Sequence, residues 1–122
     1  MIGLSQAVAG RIAYLSGPIS GLDPAYASEA FASAERACRK AGAAAVFNPM
    51  DDRRQANRKG WTHAQHMCAD LHAMTHHHKG DGVPDYVLVR LPGWSASRGA
   101  TIEDAVAAAI GMERYDLGAQ GA

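Results

Sequence analysis

Short β-prone runs and helical stretches alternate along this chain, and each run ends in glycine or proline. Arg11-Ile12-Ala13-Tyr14-Leu15-Ser16 stops at Gly17-Pro18-Ile19-Ser20-Gly21, and Ala43-Ala44-Ala45-Val46-Phe47 stops at Asn48-Pro49. Asp85-Tyr86-Val87-Leu88-Val89-Arg90-Leu91 stops at Pro92-Gly93-Trp94. Between the first two, Asp23 and Pro24 open a helix whose Phe31, Ala34, Ala37, Cys38 and Ala41 recur at helical spacing, with Gly42 at its end. Strands separated by helices pair in parallel through crossovers, so the pattern predicts an α/β sandwich of about four strands.

The rest of the chain fits that plan. Thr62 and Gln65 form a capping box for a helix of about four turns, with Met67, Leu71 and Met74 as its apolar stripe. Asp70 falls on the same side, and a carboxylate there needs a reason. Residues 50–60 read as a polar loop, and 75–84 as a second loop rich in His, Gly and Asp. A third helix is expected from Thr101 to Ile110, then a weak strand over 113–116 and a frayed tail from Gly118. With 122 residues the chain predicts one domain, with a core of about 11–116 and a flexible tail over 117–122.

Composition narrows the partners. The formal charge balances to zero and no Lys/Arg stripe exists, which argues against a nucleic-acid polymer. No run reaches the roughly 20 apolar residues of a membrane span, and residues 1–10 lack the pattern of a signal peptide. A cytoplasmic protein is expected. Cys38 and Cys68 both fall in helical patterns and read as reduced, buried thiols.

In parallel sheets ligands gather at the carboxyl ends of the strands. Tyr14, Ser16, the Gly17–Gly21 loop, Asn48 and Ser97–Glu103 meet at that edge, and Asp70 reaches it from the second long helix. Ser97, Arg98 and Gly99 stand at a helix entrance, where free backbone N–H groups attract anions and a glycine admits close approach. Glu103 and Asp70 together suit displacement at a sugar carbon, one carboxylate attacking while the other positions or protonates. Plainer roles compete at each position. Glu103 can complement the helix dipole, Asp70 can pair with His66 or a backbone N–H, and Ser97 can be an N-cap alone. Tyr14 can be core packing, and Trp94 can cover the sheet edge rather than stack on a base. His63, His66 and His76-His77-His78 lack the spacing of a metal motif and read as a solvated surface, so no metal and no cofactor are expected.

Four ordered segments carry a resemblance. Tyr-Leu-Ser-Gly-Pro-Ile-Ser-Gly at 14–21, Phe-Asn-Pro at 47–49, Ala-Asp-Leu at 69–71 and Leu-Pro-Gly-Trp-Ser-Ala-Ser-Arg-Gly-Ala-Thr-Ile-Glu at 91–103 resemble the DUF4406 family. That family is related to the nucleoside 2-deoxyribosyltransferases and the 2′-deoxynucleoside 5′-phosphate N-hydrolases. The resemblance implies a three-layer, flavodoxin/Rossmann-like, nucleoside deoxyribosyltransferase-like sandwich with a parallel sheet of four to five strands. It also implies a homodimer or higher homo-oligomer that cleaves the N-glycosidic bond of a small nucleoside or nucleotide. By position, Glu103 matches the nucleophile, Tyr14 the tyrosine beside it, and Asp70 the aspartate that handles base or proton. Pro18, Ile19, Ser20 and their neighbours in the 17–21 loop would border base and sugar. Ser97 matches a serine that contacts a 5′-phosphate in the hydrolases, where the transferases usually carry an aspartate. The match therefore favours hydrolysis of a 5′-monophosphate over base exchange. A binding module without turnover is the reading from another class.

Overall fold

A computed structural model describes residues 3–76 and 85–118. Its elements run α1 (Leu4–Val8), β1 (Ile12–Ser16), α2 (Pro24–Lys40), β2 (Ala45–Phe47), α3 (Asp52–Asn57), α4 (His63–His76), β3 (Tyr86–Arg90), a 3-10 turn (Trp94–Ala96), α5 (Arg98–Ile110) and β4 (Glu113–Asp116). All strand pairs are parallel, in the order β2-β1-β3-β4. This is an α/β architecture with helices on both sheet faces, a three-layer Rossmann/flavodoxin-like sandwich. No helix among the described residues is long and apolar enough to cross a membrane.

Strand alternation divides the side chains between two cores. Ala13, Leu15, Val87, Val89 and Tyr115 join Ala7 and Val8 of α1 and Phe31, Ala34 and Cys38 of α2 on one face. Tyr14, Phe47 and Leu88 join Met74 of α4 and Ala107 of α5 on the other. The central strands β1 and β3 are covered on both faces, which explains their near-continuous apolar runs. Ser16 follows Tyr14 at the strand period of two, so both look toward α5.

β1 and β3 are neighbours, yet their connections leave in opposite directions along the sheet. Such a switch point is where parallel sheets commonly take their ligands. Gly17 is small because it must be: a Cβ there would stand 2.8 Å from Leu91 Cβ. Gly93 has φ +84°, and a Cβ on it would meet Pro18 Cγ at 3.5 Å, so the loops that follow β1 and β3 pack together. Ser97 caps α5, its Oγ accepting from Ala100 N at 3.2 Å.

Several expectations change. Residues 50–60 are not all loop, because Asp51 caps α3 by accepting from Arg54 N at 2.8 Å. The last helix begins at Arg98 rather than Thr101, one turn earlier, under the Ser97 cap. Thr75 and His76 belong to α4, while the rest of the expected 75–84 loop, with His77 and His78, lies outside the described residues. Cys38 is buried but Cys68 is exposed, since it falls off the Met67/Asp70/Met74 side of α4. The core reaches back to Ala7 and Val8. At the other end Leu117 is tied down by its N–H on Arg90 O at 2.9 Å.

Candidate active site

Glu103 stands in the sheet-facing stripe of α5 between Ala100 and Ala107, and only 6% of it is exposed. A carboxylate in that position demands partners. Ser16 Oγ donates to Glu103 Oε1 at 2.6 Å. Tyr14 Oη lies 2.7 Å from Glu103 Oε2 and 2.9 Å from the carbonyl oxygen of Asp70. The strand period and one helix turn thus converge three polar groups near the carboxyl edge of the sheet.

The tyrosine cannot serve both oxygens at once. A phenol has one proton, so it donates to Glu103 or to the Asp70 carbonyl. With Glu103 protonated, the acid donates to Tyr14, Tyr14 donates to Asp70 O, and Ser16 still donates to Oε1. Every group is then satisfied. With Glu103 ionised, Tyr14 turns to the carboxylate and releases the carbonyl. Burial accordingly pushes the Glu103 carboxyl up to about 7, raised further by the charge of Asp70 and held back by the Ser16 and Tyr14 hydrogen bonds. Burial and the neighbouring Glu103 charge push the Tyr14 phenol well above its ordinary value, so it remains a neutral donor.

Asp70 meets a different partner from those expected. Arg58 Nη1 donates to Asp70 Oδ1 at 2.7 Å, and both side chains are buried. His66 reaches this pair through Arg58, its Nδ1 lying 3.5 Å from the guanidinium. Burial raises the Asp70 carboxyl even against the lowering effect of Arg58. Its other oxygen takes no hydrogen bond among the described residues. Arg58 was hidden in a loop with several other basic residues. The available signal was electrostatic: an acid on a core-facing stripe calls for a cation, and 50–60 holds Arg53, Arg54, Arg58 and Lys59.

The remaining predicted residues divide. Gly17 is buried at the end of β1, Pro18 and Ile19 are half-buried with Ile19 packed on the first core, and Ser20 is exposed. Ser97 and the half-buried Trp94 flank the α5 entrance, where the Arg90 guanidinium lies 4.4 Å over the Trp94 ring. Arg90 also donates to Asp104 at 2.8 Å, clamping α5 beside Glu103. Arg98 is exposed. Gly99 faces protein rather than open space, because a Cβ there would lie 3.2 Å from Met67 Sδ. Asn48 is turned to structural use: it donates to Glu35 at 3.0 Å and accepts from Met50 N at 2.8 Å. The structure does not bring it to Glu103. His63 is exposed, and no three metal-ligating side chains gather among the described residues.

A family model described as "Domain of unknown function (DUF4406)" matches residues 11–115. No curated protein and no solved structure matches the chain.

Two outcomes test this geometry. Arg58→Met strands a buried carboxylate and should cost about 3–5 kcal/mol, measured by urea unfolding. Adding Asp70→Asn should recover most of the loss, and an undiminished loss in the double variant would contradict the pairing. Glu103→Gln mimics the neutral acid, with Nε2 donating to Tyr14 and Oε1 accepting from Ser16. A folded carboxyl near 7 binds its proton more tightly than the unfolded one near 4.5. Wild-type stability should therefore fall as pH rises from about 4.5 through 7, while the variant lacks that fall. Thermal melts should show the variant gaining on wild type by up to about 3 kcal/mol between pH 5 and 8.

Proposed function

The chain belongs to the DUF4406 family, and from its buried carboxylate cluster we propose that it is an N-glycosidase acting on a small (deoxy)nucleoside 5′-monophosphate. The observation that carries this reading is Glu103, a carboxylate held between Ser16 and Tyr14 at the strand switch point with its pKa raised to about 7. An acid poised there is half ionised at neutral pH, as a nucleophile with a neutral resting state needs to be.

Glu103 loses its proton and attacks C1′ with one carboxylate oxygen. The C1′–N bond breaks, and its electron pair leaves with the base, which takes up a proton. Water then attacks C1′ as the C1′–Oε bond to Glu103 breaks, its electron pair returning to the carboxylate; the water gives up one proton, which restores the neutral acid, and the sugar phosphate is freed. Tyr14 and Ser16 keep the attacking group aligned. Tyr14 shifts its hydrogen from the Asp70 carbonyl to the ionised acid, so the charge is met by a donor already in place. The unengaged oxygen of Asp70 is the acceptor for an N–H of the base, and Arg58 holds that carboxylate in position. The Ser97 hydroxyl and the α5 N-terminus hold the phosphate.

Nucleosides and 5′-monophosphates, with and without an acceptor base, are incubated with the chain and free base is read by chromatography. The proposal expects base release from a monophosphate without an acceptor, lowered about a thousandfold or more in Glu103→Ala. kcat/KM should rise with pH through about 7. Ser16→Ala removes a donor that favours the ionised acid, so it should move that limb to higher pH. A new nucleoside formed only when acceptor is present would make the chain a deoxyribosyltransferase. Binding without release from any substrate would leave a nucleotide-binding module.

A further inference from the structure

A second concentration of chemistry lies over α3. Asp51, Arg53, Arg54, Asn57, Arg58 and Trp61 line an open groove of about 540 Å3. Positions 53 and 57, and 54 and 58, are each four apart, and the two pairs are adjacent, which gathers them on one side of this short helix and its end. Three guanidinium groups stand there; Asp70 answers Arg58 at 2.7 Å and Asp51, which also caps α3, faces Arg54 at 3.5 Å, so Arg53 adds a charge that no described carboxylate meets. Like charges so placed repel one another unless an anion lies between them.

Two of the arginines are held in place. Arg54 lies 4.0 Å over the Phe47 ring, with Nε donating to Asn48 O at 3.3 Å. Arg58 is fixed by Asp70 and stands 5.1 Å over the Trp61 ring. Each guanidinium has five N–H donors, and these contacts use few of them. Arg53 is exposed and makes no hydrogen bond or ion pair with a described residue. A solvated basic face would leave its arginines mobile; this groove fixes two and adds an aromatic ring that is 38% exposed. Fixed guanidinium forks suit phosphate oxygens, and an exposed tryptophan suits a planar ring.

We propose that this groove is a nucleotide-binding seat in its own right, with the phosphate on Arg53 and Arg54 and the base against Trp61. It uses none of the residues assigned to the phosphate or sugar of the cleaved substrate and stands whether or not the chain cleaves anything. Arg58 belongs to both the groove and the buried pair, so an occupant touches the surroundings of Asp70.

The chain has two tryptophans, so Trp94→Phe leaves Trp61 as the only indole reporter. In that background, with Glu103→Gln to stop turnover, adenosine 5′-monophosphate is titrated while emission is followed. Saturable quenching is expected. Arg53→Glu should weaken the affinity at least tenfold, and raising the salt concentration should weaken it as well. Adenosine and inorganic phosphate should each bind at least tenfold more weakly than the nucleotide. Arg53 is exposed, and circular dichroism checks that its variant remains folded. No saturable quenching at millimolar nucleotide, an affinity indifferent to Arg53→Glu, or adenosine binding as tightly as its monophosphate would each overturn the proposal. Because the readout is binding without turnover, failure of the glycosidase reading leaves this result unaffected.

Discussion

One phenolic proton governs the centre of this protein. Tyr14 sits between Glu103 Oε2 and the Asp70 carbonyl, close enough to donate to either and able to donate to only one. That shared donor couples the protonation of the acid on α5 to the backbone of α4. It makes the neutral acid the better-satisfied resting state and keeps a donor ready for the ionised one. The cost of burying a carboxyl in a core stripe is thereby reduced without locking the group in its charged form.

The scaffold exists to hold that arrangement. The alternation of β1 sends Tyr14 and Ser16 to the α5 side while Ala13 and Leu15 pack beneath α2. Arg90, on the same face of β3, clamps Asp104 of α5 and so fixes the turn that carries Glu103. Tyr14 is itself held by stacking on Phe47 at 4.5 Å, and Arg54 closes the far face of that ring. Arg58 then ties Asp70 to the segment after α3. These contacts gather toward the carboxyl edge of the sheet.

Much of this was legible in the chain. The short β-prone runs ended by Gly-Pro, Asn-Pro and Pro-Gly, alternating with helical stretches, pointed to the parallel sheet, and the order of four motifs pointed to the family. Asp70 stood out as an acid on an apolar stripe, and Glu103 as a carboxylate one turn inside a helix entrance and at the end of the fourth motif. Partners were harder to read, because a long arginine can reach Asp70 from a segment twelve positions away where spacing rules see only His66. Asn48 and Gly99 looked like ligand contacts, but their roles depend on which neighbour fills the adjacent space. Glu35 takes the amide of one and Met67 lies beside the other. Short α3 escaped notice since its six residues carry no apolar period, and a cap at Asp51 starts it. Pairwise geometry across the chain, rather than local pattern, decided each of these.

The central claim is that Glu103 is the group that bonds to the sugar. Rapid acid quenching during turnover of a 2′-deoxynucleoside 5′-monophosphate, followed by peptide mass spectrometry, tests it directly. The account predicts a deoxyribose 5-phosphate adduct on the peptide bearing Glu103, formed as base is released and absent from Glu103→Ala. Base release with the adduct on another residue, or undiminished release from Glu103→Ala, would contradict it.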